Sequence, residues 1–127
     1  MDEVKVLHIG LATAGYIKRR TIEIARGGVV HPDEPKLWVS SIESLAKVLS
    51  DKNMLLLEMI RNSQPRSMAE LSRLSGRAVS NLSRTLHSME KLGLVSFEDF
   101  PGGRKVPTVI YDQVKLECTI GNQKRAA

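Results

Sequence analysis

The sequence predicts an α+β fold: a three-helix core, a β-hairpin after it, and a strand-and-helix arm in front. Three observations carry this. Serine caps and helix-stop residues punctuate the chain between Ser40 and Gly93. Val79, Leu82, Leu86 and Met89 repeat at steps of 3, 4 and 3, the spacing of one helix face. Two β-favouring runs then flank a turn-rich segment that contains Pro101-Gly102-Gly103. The 127 residues suit one domain with an arm, and 42% hydrophobic residues suffice for a packed core.

In chain order, Val4, Val6 and Ile9 alternate with Lys5 and His8, which reads as a short strand. Ala12 to Ala25 reads as a helix with Ile17, Ile22 and Ile24 apolar, stopped by Gly27-Gly28. It carries the cluster Lys18-Arg19-Arg20, either a solvated face or a surface for DNA or an acidic protein partner. Val29 to Pro35, with two prolines, reads as a linker, so 1–35 form an arm and linker and a candidate dimerisation element. Leu37-Trp38-Val39 is expected to be a short strand that pairs with the hairpin, with Trp38 in the core.

Ser40 and Glu43 have capping-box spacing, and Ile42, Leu45, Ala46, Val48 and Leu49 give 41–49 an apolar face. Ser50 caps the next helix, with Asp51 in its first turn, and that helix stops before Gln64-Pro65. Ser67 and Glu70 form a second capping box, after which Met68, Ala69, Leu71 and Leu74 are expected to face inward. Gly76 ends this helix and Gly93 ends the next. A short helix, a glycine turn and a longer helix make a helix-turn-helix pattern.

Charge is concentrated there. The net charge is +5, and between residues 61 and 91 six cations (Arg61, Arg66, Arg73, Arg77, Arg84 and Lys91) face only Glu70 and Glu90. At ~100° per residue, Arg77, Ser80, Asn81, Arg84, Ser88 and Lys91 lie opposite the apolar stripe, with no carboxylate among them. Such a face suits the major groove: Arg donates bidentately to guanine, Asn pairs with adenine, and Ser and Arg also reach phosphates. Leu94 to Phe97 and Lys105 to Tyr111 read as the hairpin strands, and 98–104 as a tip ending in cations. A hairpin directly after a recognition helix is a wing, whose Arg104 and Lys105 are candidates for the DNA backbone or minor groove.

These residues resemble a known family. The run from Ser67 to Glu117 is similar to the winged helix-turn-helix of MarR- and ArsR-like bacterial and archaeal repressors. The whole of 36–120 resembles a small family of predicted transcriptional regulators. The match is carried by Leu49-Ser50-Asp51-Lys52 and by Ser75-Gly76-Arg77 with Asn81-Leu82-Ser83-Arg84-Thr85-Leu86. The resemblance implies a winged-helix domain over 36–120 that binds duplex DNA sequence-specifically, reading the major groove with helix 77–92 and the backbone or minor groove with wing 98–105. It also implies a homodimer on two half-sites. Residues 1–28 and the strand-like Val114 to Ile120 remain to build that dimer, and 121–127 read as a flexible tail.

Other chemistry is sparse. The apolar runs reach four residues (Met54 to Leu57), against ~20 for a membrane span, so no membrane partner is expected. A single cysteine, Cys118, excludes an internal disulfide framework and a Cys-rich zinc site, points to a reducing cytoplasm, and reads as a small buried hydrophobe. His8, His31 and His87 lack metal-ligand spacing, and no phosphate loop or catalytic triad appears, so neither catalysis nor a metal or cofactor is expected. Two other readings stand beside the repressor: a DNA-binding antitoxin, holding a toxin through the N-terminal arm, and a winged-helix protein-interaction module.

Overall fold

Residues 6–11 and 113–118, far apart in the chain, are neighbours in one sheet. The computed structural model describes residues 3–120, with the elements β1 (Val6–Leu11), α1 (Ala14–Ala25), β2 (Leu37–Val39), α2 (Ile42–Val48), α3 (Asp51–Ser63), α4 (Met68–Ser75), α5 (Val79–Lys91), β3 (Ser96–Phe100), β4 (Arg104–Thr108) and β5 (Gln113–Cys118). The fold is α+β. Its contacts divide it into two units, the first made of the chain up to Leu45 together with the part from Asp112, the second running from Ala46 to Tyr111. Strands 37–39 and 113–118 therefore leave the expected 36–120 domain and join the N-terminal segment. The reason is hydrogen bonding: both pair with β1.

The first unit is a parallel sheet in the order β2-β1-β5. Ile9 stands in register with Leu37 and Leu116, and Gly10 with Trp38 and Glu117. Parallel neighbours need long crossovers. One, from β1 to β2, is α1 and the segment after it; the other, from β1 to β5, runs on through β2 and the whole second unit. The expected pairing of 37–39 with the hairpin is thus replaced by pairing with β1. Side-chain fit explains it: a Cβ on Gly10 would lie 2.6 Å from the Trp38 ring, so only glycine lets the indole lie over β1. Trp38 is half-buried and meets Tyr16 edge-on, with ring centroids 5.2 Å apart.

α1 begins where the Thr13 hydroxyl accepts from the Tyr16 amide at 3.1 Å. Its buried residues are Tyr16 and Arg20, while Ile22 and Ile24 are exposed, the reverse of the apolar pattern expected. Arg20 is 3% exposed. Its Nε and Nη2 donate to the two oxygens of Glu34 at 2.8 and 2.6 Å, Nη1 to Glu23 at 3.0 Å, and Nη2 also to the Val29 carbonyl at 2.6 Å. The Arg20 hydrogen bonds hold the Glu34 carboxyl below the usual carboxylate range, and Glu34 in turn keeps the guanidinium charged. Arg20 is therefore withdrawn from the basic cluster expected to meet DNA or an acidic partner. The linker expected at 29–35 folds back to supply Glu34 and Pro35, both buried.

In α2 the Ser41 hydroxyl accepts from the Ser44 amide at 3.1 Å, so the cap stands one residue beyond the expected Ser40. In the second unit, Ser50 and Ser67 cap α3 and α4 as expected, accepting from the Asn53 and Glu70 amides. α3 ends at Gln64, which takes a left-handed conformation (φ 47°) directly before Pro65. Gly76 (φ 73°) ends α4.

The core of this unit holds Leu56, Leu57 and Ile60 of α3, Leu71 of α4, Leu82, Leu86 and Met89 of α5, and Leu94, Val95 and Val106. Each such side chain contributes about 1.5–3 kcal/mol through burial. Leu74 and Val79, expected inside, are 47% and 45% exposed, because they lie next to the α4–α5 turn where the two helices part. The hairpin pairs Phe100 with Arg104 and Asp99 with Lys105, so the expected 98–104 tip contracts to Pro101-Gly102-Gly103. Left-handed φ angles of 86° and 74° at the two glycines close it, and the opposite charges of Asp99 and Lys105 stabilise the extra rung.

Candidate nucleic-acid interface

α5 follows α4 after three residues, Gly76, Arg77 and Ala78. The left-handed glycine turns the chain, and Ala78 opens α5 in extended backbone. With Leu82, Leu86 and Met89 fully buried, the opposite face of α5 must point outward. Ser80, Asn81, Arg84, Ser88 and Lys91 are all exposed. They fall within roughly 100° of arc around the helix axis, and Ser80 to Lys91 spans about 16 Å at 1.5 Å per residue. Glu90 lies off this stripe, 3.8 Å from His87. The Ser88 hydroxyl donates to the Arg84 carbonyl at 3.3 Å, an ordinary resting contact for a helical serine.

The start of α5 differs from that of α1, α3 and α4. Thr or Ser side chains cap those three, whereas Ala78 offers none and the first turn of α5 holds no acidic residue. Its leading amides and the positive end of its dipole thus meet no side-chain acceptor in the cap, an arrangement suited to an anion.

Arg77, expected on the same outward face, is placed differently. It precedes the helix and is half-buried. Nη1 and Nη2 donate to the Asn53 Oδ1 at 3.1 and 3.2 Å, and Nη2 to the Lys52 carbonyl at 3.0 Å. Asn53 in turn donates from Nδ2 to the Val48 carbonyl at 3.1 Å. Arg77 thereby ties the α4–α5 turn to the start of α3. Its carbonyl also accepts from the Ser72 hydroxyl at 2.6 Å. Asn53 had no separate signal in the sequence, because its role depends on a residue 24 positions away.

At the hairpin tip Arg104 is exposed, and its Nε donates to the Pro101 carbonyl at 3.3 Å. Lys105 is exposed and stands opposite Asp99. A cleft of about 390 Å³ lies between the end of α3 and β4, with Arg61, Arg66 and Glu98 among its lining residues and Phe100 and Val106 as apolar wall. In the sequence Arg61 and Arg66 stand out only as part of the basic excess.

Outside this unit, His8 Nε2 lies 3.1 Å from Glu117. Cys118 is exposed, not buried as expected, because β5 is an edge strand. Among the described residues no three His, Cys, Asp or Glu side chains gather as a metal site, and no helix is long and apolar enough to cross a membrane.

Comparison with known proteins gives one family. No curated protein matches the chain. The family model described as HVO_A0114 matches residues 48–116, which takes in α3, α4, α5, the hairpin and most of β5. As the match extends over more than half of the sequence, the chain belongs to the HVO_A0114 family.

Proposed function

We propose that the unit from Ala46 to Tyr111 is a winged helix-turn-helix module and that the protein is a duplex-DNA-binding transcriptional regulator, acting as a repressor. The observation that carries this is the exposed stripe of α5: two cations, one amide and two hydroxyls, with no carboxylate, opposite the fully buried Leu82, Leu86 and Met89. In this reading α5 lies in the major groove, with Asn81 and Arg84 toward base edges and Ser80, Ser88 and Lys91 toward phosphates. The uncapped start of α5 takes a backbone phosphate, and β3–β4 is the wing, with Arg104 and Lys105 on the backbone or in the minor groove. The protein works in the cytoplasm as a homodimer on half-sites about one helical turn apart. A toxin-holding arm built on residues 18–20 has lost Arg20 to Glu34.

Selection of bound sequences from a random duplex library, at fixed salt, tests the proposal. Enrichment of a short motif in two symmetric copies is the expected result. Recovery of unenriched sequence from the full chain overturns it.

A further inference from the structure

We infer that β5 is the dimerisation strand: its outer edge pairs antiparallel with β5 of a second copy, joining the two sheets into one of six strands. Among the described residues β1 is flanked on both sides, so the sheet has two edges, β2 and β5. β2 is three residues long, short enough to be a poor template. β5 is six residues long, pairs with β1 without a bulge, and contains no proline. Leu116 on it is 47% exposed, although it stands in register with the fully buried Ile9.

The occupant follows from the strand's own sequence, Gln113-Val114-Lys115-Leu116-Glu117-Cys118. Two copies related by a twofold axis perpendicular to the sheet keep their faces aligned, so only residues of the same face can stand opposite each other. With the axis at Leu116, Lys115 stands opposite Glu117 of the second copy, Glu117 opposite its Lys115, and Val114 opposite its Cys118. Leu116 meets itself. A shift of two residues sets Lys115 against Lys115 or Glu117 against Glu117, and like charges directly opposed destabilise a sheet. One register alone is therefore self-complementary in charge and in apolar contact. Lysine usually protects an edge strand from pairing; here Glu117, two residues away on the same face and with Oε1 against His8, keeps its second carboxylate oxygen to offset that protection for a second copy of this chain.

This deepens the homodimer named above, but it rests on strand geometry, and the test contains no DNA, so its failure and that of the DNA reading are distinguishable. The full chain is followed by sedimentation equilibrium over a range of concentrations. A dimer is expected whose dissociation constant rises at least tenfold in Lys115→Glu and recovers when Glu117→Lys is added. In a Cys118→Ser background, Leu116→Cys is expected to form an intermolecular disulfide under mild oxidation. Directly opposed Cα atoms of antiparallel strands are ~4.5–5.5 Å apart, within disulfide reach. Gln113→Cys, far from its own counterpart in this register, is expected not to. A monomer at all concentrations, or cross-linking at 113 and not at 116, overturns the inference.

Discussion

Arg77 distinguishes a residue that braces the α4–α5 turn from one proposed to contact DNA. Replacing it with Ala removes three hydrogen bonds, two to the Asn53 Oδ1 and one to the Lys52 carbonyl. A buried hydrogen bond to a charged group contributes ~1.5–3 kcal/mol. Here two of the three share one acceptor and the guanidinium is half exposed, so solvent screening reduces the net loss to ~1–2 kcal/mol. For a unit of this size each kcal/mol moves Tm by roughly 4–8 °C. The assay is thermal unfolding of wild type, Arg77→Ala, Asn53→Ala and the double variant. The two sites are expected to couple by about 1 kcal/mol, since each substitution removes the same contact. Arg77→Lys is expected to rescue poorly, because an ammonium cannot reproduce the planar fork. If Arg77→Ala unfolds with wild-type Tm, or the coupling is zero, the brace is wrong and Arg77 returns to the DNA-contacting set.

Arg84→Ala is expected to leave Tm unchanged and to weaken binding to the selected site by ~1–3 kcal/mol, with relaxed base preference at one position, whereas Arg104→Ala weakens all sequences about equally, both read by salt-controlled mobility shift. Gly10→Ala drives a methyl to 2.6 Å from the Trp38 ring and 2.8 Å from Pro35, and is expected to cost about 1–3 kcal/mol in chemical denaturation. Glu34 holds its proton less readily in the folded chain than in the unfolded one. Its contribution is therefore complete above the ordinary carboxyl value of 4.5 and fades as pH falls through the lower folded value. Wild-type Tm should drop over that acid range, and Glu34→Gln should flatten the drop while lowering Tm at neutral pH.

What the sequence determined by itself is the local structure of the second unit. Ser50, Ser67, Gly76 and the residue before Pro65 mark helix ends through interactions within four residues, and all four act where expected. The outward stripe of α5 was legible for the same reason, since a strongly periodic apolar face fixes the opposite face. Tertiary structure decided everything that depends on distant partners. Nothing local to Leu37-Trp38-Val39 distinguishes pairing with β1 from pairing with the hairpin; the glycine at position 10 settles it by making room for an indole. Nothing near Arg20 reveals that Glu34 will take it out of solvent, and nothing near Arg77 reveals Asn53. β1 and β5 are more than a hundred residues apart, and only folding makes them neighbours. Caps and periodicity act over one or two turns and are written in adjacent residues, whereas ion pairs and strand neighbours form between segments that chain order alone does not bring together.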